Sequence, residues 1–468
     1  MAVSALDSRV FKNLFGTQEI RDVFSDESYV GFMTATEAAL ARAQSKTGVI
    51  PSETGQVLTE AFKDVTIDYD RLSRETEIVG YPVLPLVRQL SEGVPSDAAG
   101  YIHWGATTQD IMDDASILQI QAGLRIVRRQ LNELVSILEH LSRKYRDTPM
   151  AGRTHLQHAL PCTFGYKCAI YLSGIRRHVE RLDQIEERCL FVQFGGAAGT
   201  LASLGSDDTG LKVRAELAMQ LGLRNPPVTW HVVRDTIAEI LNFLALIGGS
   251  LAKIAYDVMI MSSNEFGEVS EPFVPHRGAS STMPQKRNPI SSEVILAASK
   301  LLRASAGLGL DAMVMDFERA SGPWHLEWVA VPEAFVVAVG ALHQTNFALG
   351  GLVVNVDAMS ENLLSTRGLI VGEAVMMGMA PFIGRQRAHD VIYEACKESI
   401  ETSQDLLSVL KAKREITDKV SETVLADLCD PMKYLGASQL MVDDVLRGGK
   451  GLNGIANGSN GVNGVKYA

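Results

Sequence analysis

Apolar residues recur at three- and four-residue steps along most of the chain, which is the spacing of one face of an α-helix. The pattern is clearest over Ser116–Arg146, where charged positions separate the apolar ones. It predicts further helices at Phe164–Phe191, Asp235–Met261, Ser291–Leu308, His325–Leu349 and Glu373–Leu410. Alternating runs of β-branched residues are scarce. The sequence therefore predicts an all-α protein.

The chain has 468 residues, 46% of them hydrophobic, which is too long for one compact core. We expect packed units that share long helices, with domains at 1–113, 114–362 and 363–447 and a mobile Gly/Asn-rich tail at 448–468. The helix predicted at 235–261 carries apolar residues on all of its sides, with three charged residues, Glu239, Lys253 and Asp257, among them. This favours a core helix in a bundle completed by other subunits over a membrane span.

The net charge and the cysteines limit which classes of binding partner and which cellular compartment fit the sequence. The formal net charge of −11 argues against a nucleic-acid or anionic-membrane surface, so any anion site must be local. The five cysteines form no CxxC pair and no Cys/His cluster with metal spacing. The first 13 residues contain no apolar stretch of signal-peptide length. We expect a cytoplasmic protein with no metal and no disulfide framework.

The strongest chemical signal is the run ASSTMPQKRNP at 279–289. A proton on the carbon next to a carboxylate is very weakly acidic, so its removal needs both a base and a group that stabilises the resulting anion. Ser280 serves as a base only when deprotonated, which backbone amides of a Gly/Ser-rich loop and a nearby ammonium would favour. Lys286 and Asn288 offer the charge and the donor for the carboxylate.

Two further segments carry candidate substrate groups. The run GRTHLQHALP at 152–161 contains Thr154, His155 and Gln157, while His158 receives no assignment because packing explains it equally well. The run HWGATTQDIMD at 103–113 contains consecutive hydroxyls at Thr107 and Thr108. Its Asp110 either caps the following helix or contacts substrate.

These three segments resemble the three signature regions of the fumarase/aspartase superfamily, with Ala279 where the family usually has glycine. The resemblance implies a long-helix bundle core, three helical domains per subunit and a homotetramer whose pockets each draw on three subunits. It also implies the site roles. Ser280 is the catalytic base and His155 protonates or orients the leaving group. The substrate-binding residues are Thr107, Thr108, Thr154, Gln157, Lys286 and Asn288.

Within the superfamily the chain most resembles the 3-carboxy-cis,cis-muconate cycloisomerases, in segments such as QFGGAAGT at 193–200 and WHVVRD at 230–235. Adenylosuccinate lyase is the next relative, but Trp328 stands where it carries a nucleotide-phosphate arginine. His155 is the departure from the cycloisomerases, several of which lack it. We predict that Arg234 binds substrate and, with Trp324 and Trp328, borders its variable end, packing in the core being the alternative.

The leading functional hypothesis is a lyase that eliminates a β-substituent from a substituted succinate, a small dicarboxylate, and releases fumarate or an analogue. The alternative is a cycloisomerase that closes a carboxymuconate, a tricarboxylate, to its lactone. A third is a catalytically inactive structural homologue, which joint retention of Ser280, Lys286, Asn288, Thr154 and His155 argues against. No nucleotide loop, flavin site or metal constellation is found, so no cofactor is expected.

Overall fold

The structure, a computed structural model, describes residues 4–319 and 322–448, most of which are helical. The first part of the chain carries α1 (Lys12–Phe15), α2 (Gln18–Val23), α3 (Asp26–Thr47), α4 (Thr54–Phe62), α5 (Tyr69–Val79), α6 (Val83–Glu92) and α7 (Ser96–Ala99). The middle carries α8 (Thr108–Lys144), α9 (Phe164–Cys189), α10 (Thr209–Leu221), α11 (Asp235–Met261), α12 (Ile290–Ala312) and α13 (Pro323–Gly350). The last part carries α14 (Val356–Leu364), α15 (Gly372–Ile383), α16 (Arg385–Thr402), α17 (Leu406–Lys411), α18 (Arg414–Thr417), α19 (Glu422–Leu428) and α20 (Ser438–Leu446).

Short strands interrupt this helical framework. Strands β1 (Pro149–Thr154) and β2 (Gln157–Thr163) form an antiparallel hairpin with an irregularity between Ala151 and Arg153. Strands β3 (Val269–Ser270) and β4 (Val353–Val354) form a second antiparallel pair. The all-α prediction holds for the framework, whereas the segment expected as a loop at 152–161 is largely hairpin.

The long helices follow the hydrophobic pattern. Apolar positions of α8 that recur at helical spacing are buried, among them Ile117, Ile120, Leu124, Leu131 and Leu134. Only the last predicted helix, Glu373–Leu410, is wrong as a single element. It is divided into α15, α16 and α17, because Gly384 and Ser403 adopt backbone conformations with φ of 83° and 57° that end a right-handed helix.

One compact unit comprises the described residues of 1–132, 178–252 and 294–344. In it α3 packs on α4 and α10, and the rings of Phe24 and Phe335 stack 5.1 Å apart. The side chain of Ser25 caps α3 by accepting a hydrogen bond from the N–H of Ser28. This unit carries the segment at 103–113 and Arg234.

The other compact unit comprises the described residues of 133–177, 253–293 and 345–448. In it α15 packs on α16, and both contribute to an apolar cluster that includes Met379, Val391 and Leu410. This unit carries the hairpin and the segment at 279–289. The three predicted domain boundaries stay a prediction, and all but the first residue of the predicted tail lies outside the described residues.

By length and composition alone, α11 and α13 would each be long and apolar enough to cross a membrane. In the structure, 56% of the most apolar stretch of α11 and 67% of that of α13 are buried against the rest of the chain. Residues that remain exposed on these helices include Leu246 and Tyr256 on α11 and Val329 on α13. More than half of the most apolar stretch of each helix is therefore packed in the protein core.

Candidate functional site

The first candidate region is the turn that leads into α8. His103 and Gly105 adopt positive φ angles of 60° and 73°, which turn the chain sharply before Thr107. The carboxylate of Asp110 accepts the N–H of Thr107 at 3.0 Å, and the N–H of Asp110 donates to the carbonyl of Thr107 at 3.0 Å. Thr107 precedes α8 and Asp110 is the third residue of that helix, so the Asp110 carboxylate on the Thr107 N–H supplies one half of a capping box. The side chains of Thr107 and Thr108 are half-buried at this tip.

The Asp110 carboxylate also holds a glycine-rich segment beside this turn. It accepts the N–H groups of Gly195 and Gly196, each at 3.0 Å, and lies 2.7 Å from Nε2 of His231. A Cβ on Gly195 would lie 2.5 Å from Thr229, so only glycine allows this approach. Asp110 is 1% exposed and its oxygens are occupied, so it positions the Thr107–Thr108 turn and does not contact substrate.

Arg234 is enclosed in the same unit. Its guanidinium donates to Asp113 at 2.8 and 2.9 Å and to Glu327 at 2.9 Å, and it stacks over the ring of Trp230. Burial disfavours its charge, but the two carboxylates more than offset this and keep the pKa of Arg234 above its ordinary value. Substrate contact would require breaking these ion pairs, so we assign Arg234 to the scaffold and not to the predicted substrate-binding set.

The second candidate region is the tip of the β1–β2 hairpin. Thr154 pairs with Gln157 across the hairpin, and His155 and Leu156 form the two-residue turn with φ of 53° and 61°. Such a type I′ turn favours glycine or asparagine, so His-Leu is a strained choice. The side chains of Thr154, His155 and Gln157 are exposed, and no described residue hydrogen-bonds the His155 imidazole.

The base of the hairpin is fixed by a buried ion pair. The guanidinium of Arg153 donates to Glu268 at 2.9 and 2.6 Å and lies over the ring of Phe266. Glu268 also accepts a hydrogen bond from Asn362 at 2.9 Å. His158 is half-buried near this pair, and burial, followed by the charge of Arg153, lowers its pKa. The hairpin therefore has a rigid base and an exposed tip.

The third candidate region is the loop that carries Ser280. The Oγ of Ser280 accepts the N–H groups of Met283 at 3.0 Å and Thr282 at 3.3 Å, and lies 3.4 Å from Oγ1 of Thr282. Backbone amides converging on one oxygen stabilise negative charge there. The side chain of Lys286 is exposed on the same loop.

The ends of this loop are pinned together. The N–H of Asn288 donates to the carbonyl of Gly278 at 2.9 Å, and Ala279 pairs with Arg287. Gly278 has a φ of 68°, and a Cβ there would lie 2.3 Å from the carbonyl oxygen of Asn288. The carboxylate of Glu271 accepts the N–H groups of Ser291 and Ser292 at the start of α12. The loop therefore projects Ser280 and Lys286 from a fixed base.

The structure thus distributes the predicted residues over two units. Thr107 and Thr108 belong to the first unit, and those of the hairpin and the loop belong to the second. Among residues 4–319 and 322–448, no hydrogen bond or ion pair joins His155 to Ser280, and no group of three His, Cys, Asp or Glu side chains is placed to hold a metal ion. The sequence did not predict the carboxylates that hold the buried arginines, because each lies far along the chain from its partner. They are Asp113 and Glu327, which hold Arg234, and Glu268, which holds Arg153.

Comparison with known proteins identifies the family. The family model described as "Lyase" matches residues 15–302, which is more than half of the chain. The chain belongs to the fumarase/aspartase superfamily. A second family model, "Adenylosuccinate lyase C-terminus", matches residues 368–445. The chain is therefore an enzyme of this superfamily.

Individual superfamily members match over nearly their full length. Trans-aconitate decarboxylase 1 of Mycosarcoma maydis is 44% identical over 434 residues, 93% of this chain and 88% of that protein. The 3-carboxy-cis,cis-muconate cycloisomerase of Acinetobacter baylyi is 40% identical over 449 residues, 95% of this chain and 99% of that protein. The crystal structure of a fumarate lyase from Mesorhizobium sp. BNC1 superposes with a TM-score of 0.88 at 50% identity, covering 93% of this chain and 98% of that one.

Proposed function

We propose that this chain is a homotetrameric lyase that eliminates a β-substituent from a substituted succinate and releases fumarate or an analogue. The observation that carries the proposal is the pair of backbone N–H groups directed at Ser280 Oγ, 3.0 and 3.3 Å away. A serine hydroxyl acts as a base only as an alkoxide, and donors fixed at its oxygen stabilise that form. The exposed ammonium of Lys286 on the same loop adds positive charge for the substrate carboxylate.

In the proposed reaction Ser280 takes the proton from the carbon next to one carboxylate. The electron pair passes first into that carboxylate and then forms the carbon–carbon double bond. The bond from the neighbouring carbon to its nitrogen or oxygen breaks, and the departing atom keeps the bonding pair. His155 donates a proton to this atom, so that charge balances. The hydroxyls of Thr107, Thr108 and Thr154, with Gln157 and Asn288, hold the carboxylates.

A second candidate, lactone formation from a carboxymuconate, is favoured by the Acinetobacter baylyi cycloisomerase, which is 40% identical over almost the whole chain. The two reactions share the carbanion next to a carboxylate and differ in the atom on the neighbouring carbon. The decarboxylase from Mycosarcoma maydis adds a third outcome for a tricarboxylate, in which carbon dioxide leaves.

A substrate panel tests the proposal. N- and O-substituted succinates, 3-carboxy-cis,cis-muconate and trans-aconitate are supplied in parallel, while fumarate, lactone and carbon dioxide are measured. Release of fumarate from a substituted succinate with the highest kcat/KM is the expected result. Faster lactone or carbon dioxide formation would assign the alternative reaction instead.

Ser280→Ala tests the base on whichever substrate the panel identifies. Because the change removes a group needed in the transition state, kcat should fall by about 10²–10⁴-fold, with binding of a substrate analogue retained. Ser281→Ala is the matched control, since it deletes the adjacent exposed hydroxyl of the same loop and should stay within about tenfold of wild type. Retention of most of kcat in Ser280→Ala would refute the assignment.

A further inference from the structure

The second unit contains a groove of about 450 Å³ between the end of α8 and the end of α13. Six residues between Ser136 and Tyr145 form one wall, and residues 349–352 form the other. The volume lies within the range of roughly 300–1,000 Å³ found for small-molecule pockets. None of the predicted site residues, all of which the structure describes, lines this α8–α13 groove. The groove is therefore separate from the proposed catalytic residues.

The floor of the α8–α13 groove is apolar. Ile137 and Leu141 lie one turn apart on α8, and Tyr145 follows directly after the last residue of that helix. Leu349 and Leu352 belong to the opposite wall. Ile137 and Leu352 are only half-buried, whereas the other three side chains are buried. An apolar ligand body placed on this floor would remove further apolar surface from water, which favours binding.

The rim of the groove carries a positive charge. Nζ of Lys144 lies 5.0 Å from the centre of the Tyr145 ring, at the edge of the apolar floor. His140 precedes Lys144 by one turn on the same face of α8 and adds a ring nitrogen that can donate a hydrogen bond. No Asp or Glu is among the described residues that line the groove. The rim therefore attracts a single negative charge.

The carboxylates that neighbour the groove along α8 do not cancel this charge. Glu139 is paired with Arg176 at 2.6 Å. Glu133 accepts a hydrogen bond from Asn346 at 3.3 Å, and its Cα precedes that of Lys144 by roughly 16 Å along the helix. This separation exceeds the Debye length of about 8 Å at physiological ionic strength. The ammonium of Lys144 is therefore available to a ligand.

The helix ends do not reverse the sign of the potential at the rim. Both α8 and α13 end at the groove, and a helix C-terminus carries partial negative charge on its free carbonyls. Here the carbonyl of Leu141 accepts the N–H of Tyr145 at 3.0 Å, and that of Leu349 accepts the N–H of Leu352 at 3.3 Å. Because these carbonyls are occupied and solvent screens exposed helix ends, the full charge of Lys144 dominates.

The face of α8 that borders the groove is polar. From residue 133 onward, the exposed positions of this helix are Glu133, Ser136, His140, Arg143 and Lys144. Exposed residues of α11 include the apolar Leu246 and Tyr256, and exposed apolar surface marks the faces that partners cover. A polar face offers little apolar area for such a contact. We therefore expect the groove to remain accessible when copies of the chain assemble.

We propose that the α8–α13 groove binds a small monocarboxylate with an apolar body. The ligand carboxylate accepts hydrogen bonds from Lys144 and His140, and the apolar body covers Ile137, Leu141 and Leu352. The substrates of the proposed lyase carry two carboxylates, whereas the groove offers one ammonium. A monoanion therefore suits the groove better than such a substrate, and the site adds a second ligand class to the proposed function.

Three six-carbon probes test the ligand class on the full chain. They are hexanoate, the neutral hexan-1-ol and the cationic hexylamine, and isothermal titration calorimetry gives their affinities. Hexanoate should bind about three- to tenfold more tightly than hexan-1-ol, because it adds one partly exposed ion pair to the same apolar contact. Hexylamine should bind more weakly than both. Equal affinities for hexanoate and hexan-1-ol would overturn the proposal, since the ammonium would then contribute nothing.

Charge reversal tests the location. Lys144→Glu should weaken hexanoate binding by about tenfold or more, and Lys144→Arg should stay within about threefold of wild type. Arg143→Glu is the matched control, because Arg143 is an exposed cation on the same turn that does not line the groove; its affinity should also stay within about threefold. His140→Glu replaces Lys144→Glu if circular dichroism shows that the latter is unfolded. An unchanged affinity in the folded glutamate variant would overturn the assignment.

The proposed catalytic loop is the other place where a carboxylate would bind, and Lys286→Met separates the two sites. Lys286 is exposed on that loop and lies outside the groove lining. Hexanoate should bind to Lys286→Met within about twofold of its wild-type affinity, while Lys144→Glu loses affinity. The opposite pattern, with the loss in Lys286→Met, would place hexanoate on the catalytic loop and overturn the groove as its site.

Discussion

At the scale of single residues, His155 is the group whose replacement distinguishes the proposed elimination from lactone formation. An amine is a poor leaving group, so general-acid help in the transition state should be worth about 10²–10⁴-fold, and His155→Asn should lower kcat by an amount in that range. His158→Asn, on the same hairpin but half-buried, is the matched control and should leave kcat nearly unchanged.

The measurement is kcat and KM for His155→Asn across substituted succinates graded by the pKa of the leaving group. A general acid matters more as the leaving group becomes more basic, so the loss in kcat should grow along the series. In lactone formation the attacking carboxylate is already anionic, and the loss would be small and confined to KM. A loss that is constant along the series contradicts the general-acid role.

His103 gives a second prediction at this scale. Its Nδ1 lies 2.6 Å from the carboxylate of Glu37, and although burial disfavours the charged ring, the Glu37 charge raises the pKa of His103 above its ordinary value. The pair therefore stabilises the fold fully below the ordinary histidine pKa of about 6.5, and this stabilisation is lost as pH rises through the higher folded-state pKa.

The free energy of unfolding of the wild type should accordingly fall more steeply above about pH 6.5 than that of His103→Asn. Asparagine is the suitable replacement because it tolerates the positive φ of residue 103 and cannot titrate. Urea unfolding at a series of pH values measures the difference. Parallel stability curves for the two proteins would show that the Glu37 contact is not coupled to a proton on His103.

The local contacts of a predicted site residue could be anticipated where its motif is continuous in sequence, but not where burial among distant residues decides them, and the catalytic and binding roles stay predictions. The turn at Ser280 follows from small residues adjacent in sequence, so its amide contacts could be anticipated. Arg234 could not be placed correctly, because Asp113 and Glu327 are respectively 121 and 93 positions away and the sequence shows no sign that they converge. The only hint in the sequence was that Asp110 and Asp113 lie three positions apart on one predicted helix, where they could hold buried basic side chains such as that of Arg234.

At the scale of elements, helices were predictable because their period is local and long. The hairpin was not, because β1 and β2 lack strict alternation and their turn, His155-Leu156, contains neither glycine nor asparagine. A residue that does not suit its local backbone conformation often marks a functional or strained position, and this turn carries His155, the proposed general acid.

Leu156→Gly tests the strain in that turn. Leucine at a φ of 61° costs about 1–2 kcal/mol relative to glycine, so the variant should be more stable by about 1 kcal/mol. Leu211→Gly is the matched control: it removes a similarly exposed leucine from α10, where the substitution should destabilise by about 1 kcal/mol. Urea unfolding of both variants gives the comparison. A Leu156→Gly protein that loses stability would mean that the side chain packs favourably.

At the scale of the whole molecule, several of the predicted site residues are exposed to solvent in the described part of the chain. His155, Thr154 and Lys286 are exposed, and so are apolar residues of the long helices, including Leu246 and Tyr256. A catalyst that generates a carbanion needs a water-excluded pocket, because electrostatic stabilisation is strong only there. We therefore propose that other copies of the chain cover these groups and that each pocket takes His155 and Ser280 from different subunits.

Subunit mixing tests this arrangement, since Ser280→Ala and His155→Ala chains are each inactive alone for an acid-dependent substrate. If one pocket takes its histidine and its serine from different chains, equal random mixing leaves both groups intact in about one pocket in four. Unfolding the two variants together and refolding them should then restore about a quarter of the wild-type kcat per site, whereas each variant refolded alone should stay inactive. Light scattering must first show tetramers, and a purification tag on one variant must show that these contain both chains. If both groups came from the same chain, every pocket would lack one of them, so mixed tetramers without activity would contradict the shared pocket directly.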